Sequence, residues 1–132
     1  MEGAGYKEFK FNDSVNKEII FIDSLGRERF VVYDDVFKRY ESLFFVLMRA
    51  FEQAAIGKGN ERHANGLPFD EQIICTALKN HGAGGNTLQI CKKAEEIHNL
   101  DDIEAKKHEL YGVINYAAGL IRAYEMEEEQ ND

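Results

Sequence analysis

Residues 109 to 119 read Glu109-Leu110-Tyr111-Gly112-Val113-Ile114-Asn115-Tyr116-Ala117-Ala118-Gly119, and their spacing sets the fold expected of the whole chain. They belong to a predicted helix that opens at Asp101-Asp102 and carries Ile103, Leu110, Ile114, Ala117, Ile121 and Tyr124 along one face. The adjoining face gathers Gly112, Asn115, Tyr116, Gly119 and Ala123, small residues around one amide and one phenol. Glycine inside a helix costs roughly 1 kcal/mol, so two of them a pair of turns apart call for another helix at close range. The expectation is association of copies through helices. Asn115 is then either a satisfied buried amide or a group that meets a base edge.

Upstream, Asn86 or Thr87 is expected to cap a helix to about Asn99, with Leu88, Ile90, Cys91, Ala94 and Ile97 inward. Gln89, Lys92, Lys93 and Glu96 form its polar strip, which lets Gln89 and Lys93 address one ligand. Pro68 fits the first turn of a shorter helix from about Phe69 to Asn80, ended by Gly82. Before these, Asp34 or Asp35 caps a long helix through Ile56. Its stripe of Val36, Phe37, Tyr40, Leu43, Phe44, Leu47, Met48 and Phe51 is wide enough to be core or a subunit interface.

Residues 9 to 33 read as β. Phe9-Lys10-Phe11 fits a short edge strand, and Glu18 to Asp23 and Glu28 to Tyr33 are β-branched and aromatic runs separated by Ser24-Leu25-Gly26-Arg27. A hairpin follows, which must pack on the helices or pair with its copy, since two strands do not stand alone. The fold class expected is α+β, mostly α: an N-terminal β-hairpin followed by about four helices, packed as a helical oligomer. Residues 1–132 form a single domain, with the hairpin at 9–33, a helical body at 35–124 and an acidic tail at 125–132 that frays into solvent.

Charge singles out the middle. The chain carries a formal −8, yet residues 57 to 93 carry +2. That window opens with Gly57-Lys58-Gly59-Asn60-Glu61-Arg62-His63-Ala64-Asn65-Gly66 and continues to a second glycine-rich loop, Asn80-His81-Gly82-Ala83-Gly84-Gly85-Asn86. Glycine brings backbone N–H groups close to a ligand, and Lys or Arg adds countercharge, a combination suited to phosphate. The same loops also read as plain polar connections with glycines at helix ends. The candidate ligand-binding set is Lys58, Gly59, Asn60, Arg62, His63, Asn65, Gln89, Lys92, Lys93 and Asn115.

Several classes fall away. The acidic balance excludes a general nucleic-acid binder, which needs a broad basic face to displace counterions. No apolar run approaches 18 residues and the first residues lack a signal-peptide pattern, so a protein of the cytoplasm, with no membrane partner, is expected. Cys75 and Cys91 fall at apolar helical positions and read as buried, reduced thiols, without a zinc spacing; no metal and no cofactor are expected. There is no P-loop, and the only Glu-x-x-Glu, Glu125 to Glu128, has no second carboxylate motif after it, so a magnesium box is missing. Ser14, Ser24 and Ser42 have no setting for a triad. His63 beside Arg62 is compatible with an acid in phosphodiester cleavage, though a ligand-holding role fits better.

The Gly57 to Ala64 segment, Pro68-Phe69 with Gln72, Lys92-Lys93-Ala94-Glu95-Glu96, and the Glu109 to Ala118 helix together resemble a group of small phage proteins, the fourth anti-CBASS family. The resemblance covers roughly residues 44 to 124. It implies a non-enzymatic sponge that sequesters a cyclic dinucleotide such as cyclic GMP-AMP in the host cell cytoplasm. It also implies a homo-oligomer, dimer or tetramer, with Lys58, Arg62 and His63 near phosphate and Asn60, Asn65 or Asn115 near base edges. The Glu-Arg-His segment and final helix are more weakly similar to the N-terminal domain of phage dATP/dGTP diphosphohydrolases. Two alternatives stay open: a phosphohydrolase or phosphodiesterase using Arg62, His63 and Glu61, and an acidic inhibitor of a host protein acting through the C-terminal segment.

Overall fold

The computed structural model describes residues 6–12, 18–23, 25–56 and 66–131. The chain divides into two compact units, Met1–Phe45 and Val46–Asp132.

In the first unit, β1 (Tyr6–Asn12), β2 (Glu18–Asp23) and β3 (Glu28–Tyr33) form an antiparallel sheet in the order β1-β2-β3. β1 is a full strand paired along β2 from Tyr6 opposite Asp23 to Asn12 opposite Glu18, so β2 is central. Between β2 and β3 the register slips past Arg29, with Phe21 opposite Phe30 and Ile22 opposite Glu28. Gly26 turns the chain with φ +79°, a conformation that side chains with a Cβ rarely adopt. α1 (Asp34–Arg39) follows with both aspartates at its N-terminus and Lys38 and Arg39 at its C-terminus, which suits the helix dipole. It stops at Tyr40, whose N–H is shared between Phe37 O at 3.0 Å and Val36 O at 3.3 Å, before α2 (Glu41–Ala55) begins. Phe37 and Phe44 meet edge to face across that break, centroids 5.2 Å apart.

The second unit, from Val46 onward, is helix and loop throughout its described residues. After the end of α2 come a 3-10 turn (Phe69–Glu71), α3 (Ile73–His81), α4 (Gly84–Glu96), a second 3-10 turn (Ile97–Asn99) and α5 (Ile103–Asn131). Asp102 caps α5, its Oδ2 accepting from Ala105 N–H at 3.2 Å. α3 and α4 pack on α5, and the tightest point is Gly119. A Cβ there would lie 2.6 Å from the carbonyl oxygen of Ile74. Asn86 closes the same junction. It is buried, and its Nδ2 donates to Ile74 O at 2.9 Å and to Tyr116 O at 3.1 Å, joining all three helices through one amide.

The expected class is corrected. A hairpin and about four helices in one α+β body does not describe this chain: the described residues form five α-helices, and the unit from Val46 onward contains no strand among its described residues. One long helix expected through Ile56 is two, because the backbone tightens at Tyr40. The segment at Phe69 is a 3-10 turn separated from α3 by extended Gln72. α4 starts at Gly84, so Asn86 is inside the helix and its side chain serves the core instead of a cap. The acidic tail continues α5 to Asn131, where Glu125 and Glu129 reach Arg122 at 3.7 and 3.6 Å.

The glycine face needs no second chain. Gly119 admits Ile74, and Gly112 admits the stem of Lys93, whose Cδ would be 3.1 Å from an added Cβ. The α2 stripe, in contrast, is not core in this chain: Ala50 is its one buried residue, while Leu47, Met48 and Phe51 are exposed. No described helix is long and apolar enough to cross a membrane.

Candidate functional site

α5 presents different chemistry to α4 and to α2. On the α4 side, Lys93 Nζ is 3.1 Å from Glu109 Oε2 and 5.9 Å from the centre of the Tyr116 ring. The Lys93 side chain is three-quarters buried and its ammonium is paired with a carboxylate, while its stem fills the space that Gly112 leaves. Lys93 is therefore a packing and ion-pairing residue. Lys92 points to solvent, 3.9 Å from Glu96, and Gln89 is half-buried on α4. Lys93, expected to address one ligand with Gln89, is paired here with Glu109 of α5.

On the α2 side, two amides hold the helices together reciprocally. Asn115 Nδ2 donates to Ala50 O at 3.0 Å, and Gln53 Nε2 donates to His108 O at 3.2 Å. A cleft of about 540 Å³ opens beside the first of these bonds, lined by Ala50, Phe51, Leu67, Phe69, Ile114 and Asn115 among others. Its volume lies within the range of small-molecule sites, roughly 300–1,000 Å³. Among the described residues no charged side chain lines it. Gln72 shapes its far wall by donating from Nε2 to Leu67 O at 2.9 Å. With Nδ2 of Asn115 held by Ala50, the Oδ1 of the same amide is left as an acceptor at the cleft.

Lys58, Gly59, Asn60, Arg62, His63 and Asn65 lie outside the described residues. The described residues next to that segment are Ile56 and Gly66, and one position further out Ala55 and Leu67 both line the 540 Å³ cleft. Of the remaining candidates, Asn115 lines it, and Gln89, Lys92 and Lys93 do not. Phe51 is read from its periodicity as part of a stripe that is core or a subunit interface, and Phe69 only as the start of a helix. Only the pairing of α2 with α5 turns them into cleft walls.

A second feature is the ion pair between Arg122 and Asp70. Arg122 grips Asp70 through Nε to Oδ1 at 2.8 Å and Nη2 to Oδ2 at 3.0 Å, tying α5 to the first 3-10 turn. The hydrogen bond to Asp70 holds the guanidinium charged more firmly than usual. Cys75, beside this pair, is 2% exposed, and burial, with Asp70 adding to it, pushes its thiol up to about 12. Cys91 is exposed, which corrects its expected burial. Among the described residues no group of three or more His, Cys, Asp or Glu is placed to hold a metal ion.

No protein-family model, no curated protein and no solved structure matches the chain.

Proposed function

We propose that the chain is a nucleotide-binding sponge: it holds a phosphorylated nucleotide, a cyclic dinucleotide by the resemblance above, and releases it uncleaved. The observation that carries this reading is the cleft beside Asn115, whose described lining holds no charged side chain and includes Ala55 and Leu67, which precede and follow the Lys58-to-Asn65 segment in sequence. The cleft supplies flat apolar walls at Phe51 and Phe69 for a base, and Asn115 Oδ1 accepts from an exocyclic amine. Lys58, Arg62 and His63, in the sequence between Ala55 and Leu67, would supply charge for phosphate. Sequestration asks for burial and countercharge without an attacking group, which fits a chain without a triad or carboxylate box in its sequence.

In this reading a homo-oligomer in a host cytoplasm covers the apolar side chains left exposed on α2, Leu47 and Met48. The test is calorimetric titration with cyclic dinucleotides of the intact chain, Arg62→Ala and Phe51→Ala. Phe51 is 62% exposed, so its removal leaves folding largely intact. Loss of binding in both variants, with folding retained, supports the site; retention of full affinity in both overturns it.

A further inference from the structure

The other flank of α2 forms a second cleft with α5, of about 680 Å³, and its chemistry is unlike that of the first. From α2 come Arg49, Glu52 and Gln53; from α5 come Lys107, His108 and Tyr111. Each set follows helical spacing, so each forms one continuous face. Lys107 is taken by Glu104, one turn earlier on its own helix, at 2.9 Å. Gln53 is taken by the His108 carbonyl. Arg49 and Glu52 are left. They stand three residues apart on one helix face and line the same cleft, and among the described residues neither joins an ion pair.

An unpaired cation and an unpaired carboxylate side by side are a poor site for a bare anion, which Glu52 would repel. They suit a planar ligand that shows acceptors and donors along its edges. Arg pairs two-pronged with the O6 and N7 of guanine, and a carboxylate accepts from ring and exocyclic N–H groups. Tyr111 and His108 on the opposite helix add flat surfaces for stacking. Adenine offers Arg49 a single acceptor, N7, next to a donor, and pyrimidines offer less area.

We propose that the cleft between Arg49 and Tyr111 is a base-binding site for guanine. The ligand's class rests on the nucleotide reading above; the site does not, since it uses none of the same residues. Separating the two calls for a ligand without phosphate. Guanosine, inosine, adenosine and cytidine are each titrated into the isotope-labelled chain and followed by the Arg49 Nε–H, Gln53 amide and Tyr111 ring resonances. Guanosine is expected to shift all three. Inosine, lacking the exocyclic amine that Glu52 accepts, is expected to bind about tenfold more weakly, and Glu52→Gln to erase that difference. Arg49→Ala is expected to lose the guanosine shifts while Arg62→Ala keeps them. Equal shifts with all four nucleosides, or none with guanosine at millimolar concentration, overturn the proposal. Either result leaves cyclic-dinucleotide binding at the first cleft to be decided by the Arg62 and Phe51 variants.

Discussion

Gly119 of α5 lies so close to Ile74 of α3 that a Cβ on it would stand 2.6 Å from the Ile74 carbonyl oxygen and 2.7 Å from Cγ1. The obstacle is backbone, which cannot rotate away. Gly119→Ala therefore forces α3 from α5 and is expected to cost about 1–3 kcal/mol by overpacking, more than the roughly 1 kcal/mol gained in helix propensity. Gly112→Ala meets only the flexible stem of Lys93 and is expected to be near neutral. Urea unfolding of the two variants measures the contrast, and equal midpoints would refute the close crossing.

Asn86 is the second support of that junction. Its replacement by Ala removes two hydrogen bonds inside the unit and leaves a small void, an expected loss of about 1–3 kcal/mol. Were Asn86 a helix cap, as its place after a glycine pair implies from sequence, Asn86→Ser would restore most of the loss. Here Ser is too short to span both carbonyls, so it is expected to behave like Ala in thermal melts.

The two thiols separate by chemistry. The exposed Cys91 is expected to react with a disulfide reagent in the folded chain, and the buried Cys75 only after denaturation. Burial raises the folded thiol from 9.0 to about 12, so between those values the unfolded chain ionises while the folded chain keeps its proton. That stabilising contribution is intact below about pH 9 and is lost as pH rises toward 12. Cys75→Ala is expected to flatten this part of the pH-stability curve relative to the parent chain.

Lys93 and Arg62 are both cations of the basic middle window, yet their substitutions should part ways. Lys93→Met is expected to shift stability by up to about 1–3 kcal/mol and to leave nucleotide affinity unchanged, since its partner is Glu109. Arg62→Ala is expected to do the reverse. Calorimetry and melting on the same two proteins distinguish a pairing lysine from a ligand-holding arginine.

The helices were legible because their apolar residues recur at three and four positions, and Asp102 was legible as the start of α5 because a cap is a local device. What lay beyond reach depends on partners far along the chain. Glu109, sixteen residues from Lys93, turns a surface lysine into an interior ion pair. Asp70, fifty-two residues from Arg122, pairs with an arginine that periodicity alone does not single out. Periodicity marks the side of α2 that is apolar but not what covers it, so Leu47 and Phe51 passed for core while remaining exposed in the single chain. The glycines of α5 announced a close neighbour correctly; spacing carried no sign that the neighbours were Ile74 and Lys93 of the same chain.

The central claim is that a nucleotide is held and returned whole. It is tested most directly by incubating the purified chain with a panel of cyclic and linear nucleotides, recording the melting temperature, then heat-denaturing each mixture and identifying the released nucleotide by mass. The account predicts a large rise in melting temperature for one or a few cyclic dinucleotides, with the intact compound recovered. Recovery of a hydrolysed product would make the chain an enzyme, and no stabilisation by any nucleotide would contradict the account altogether.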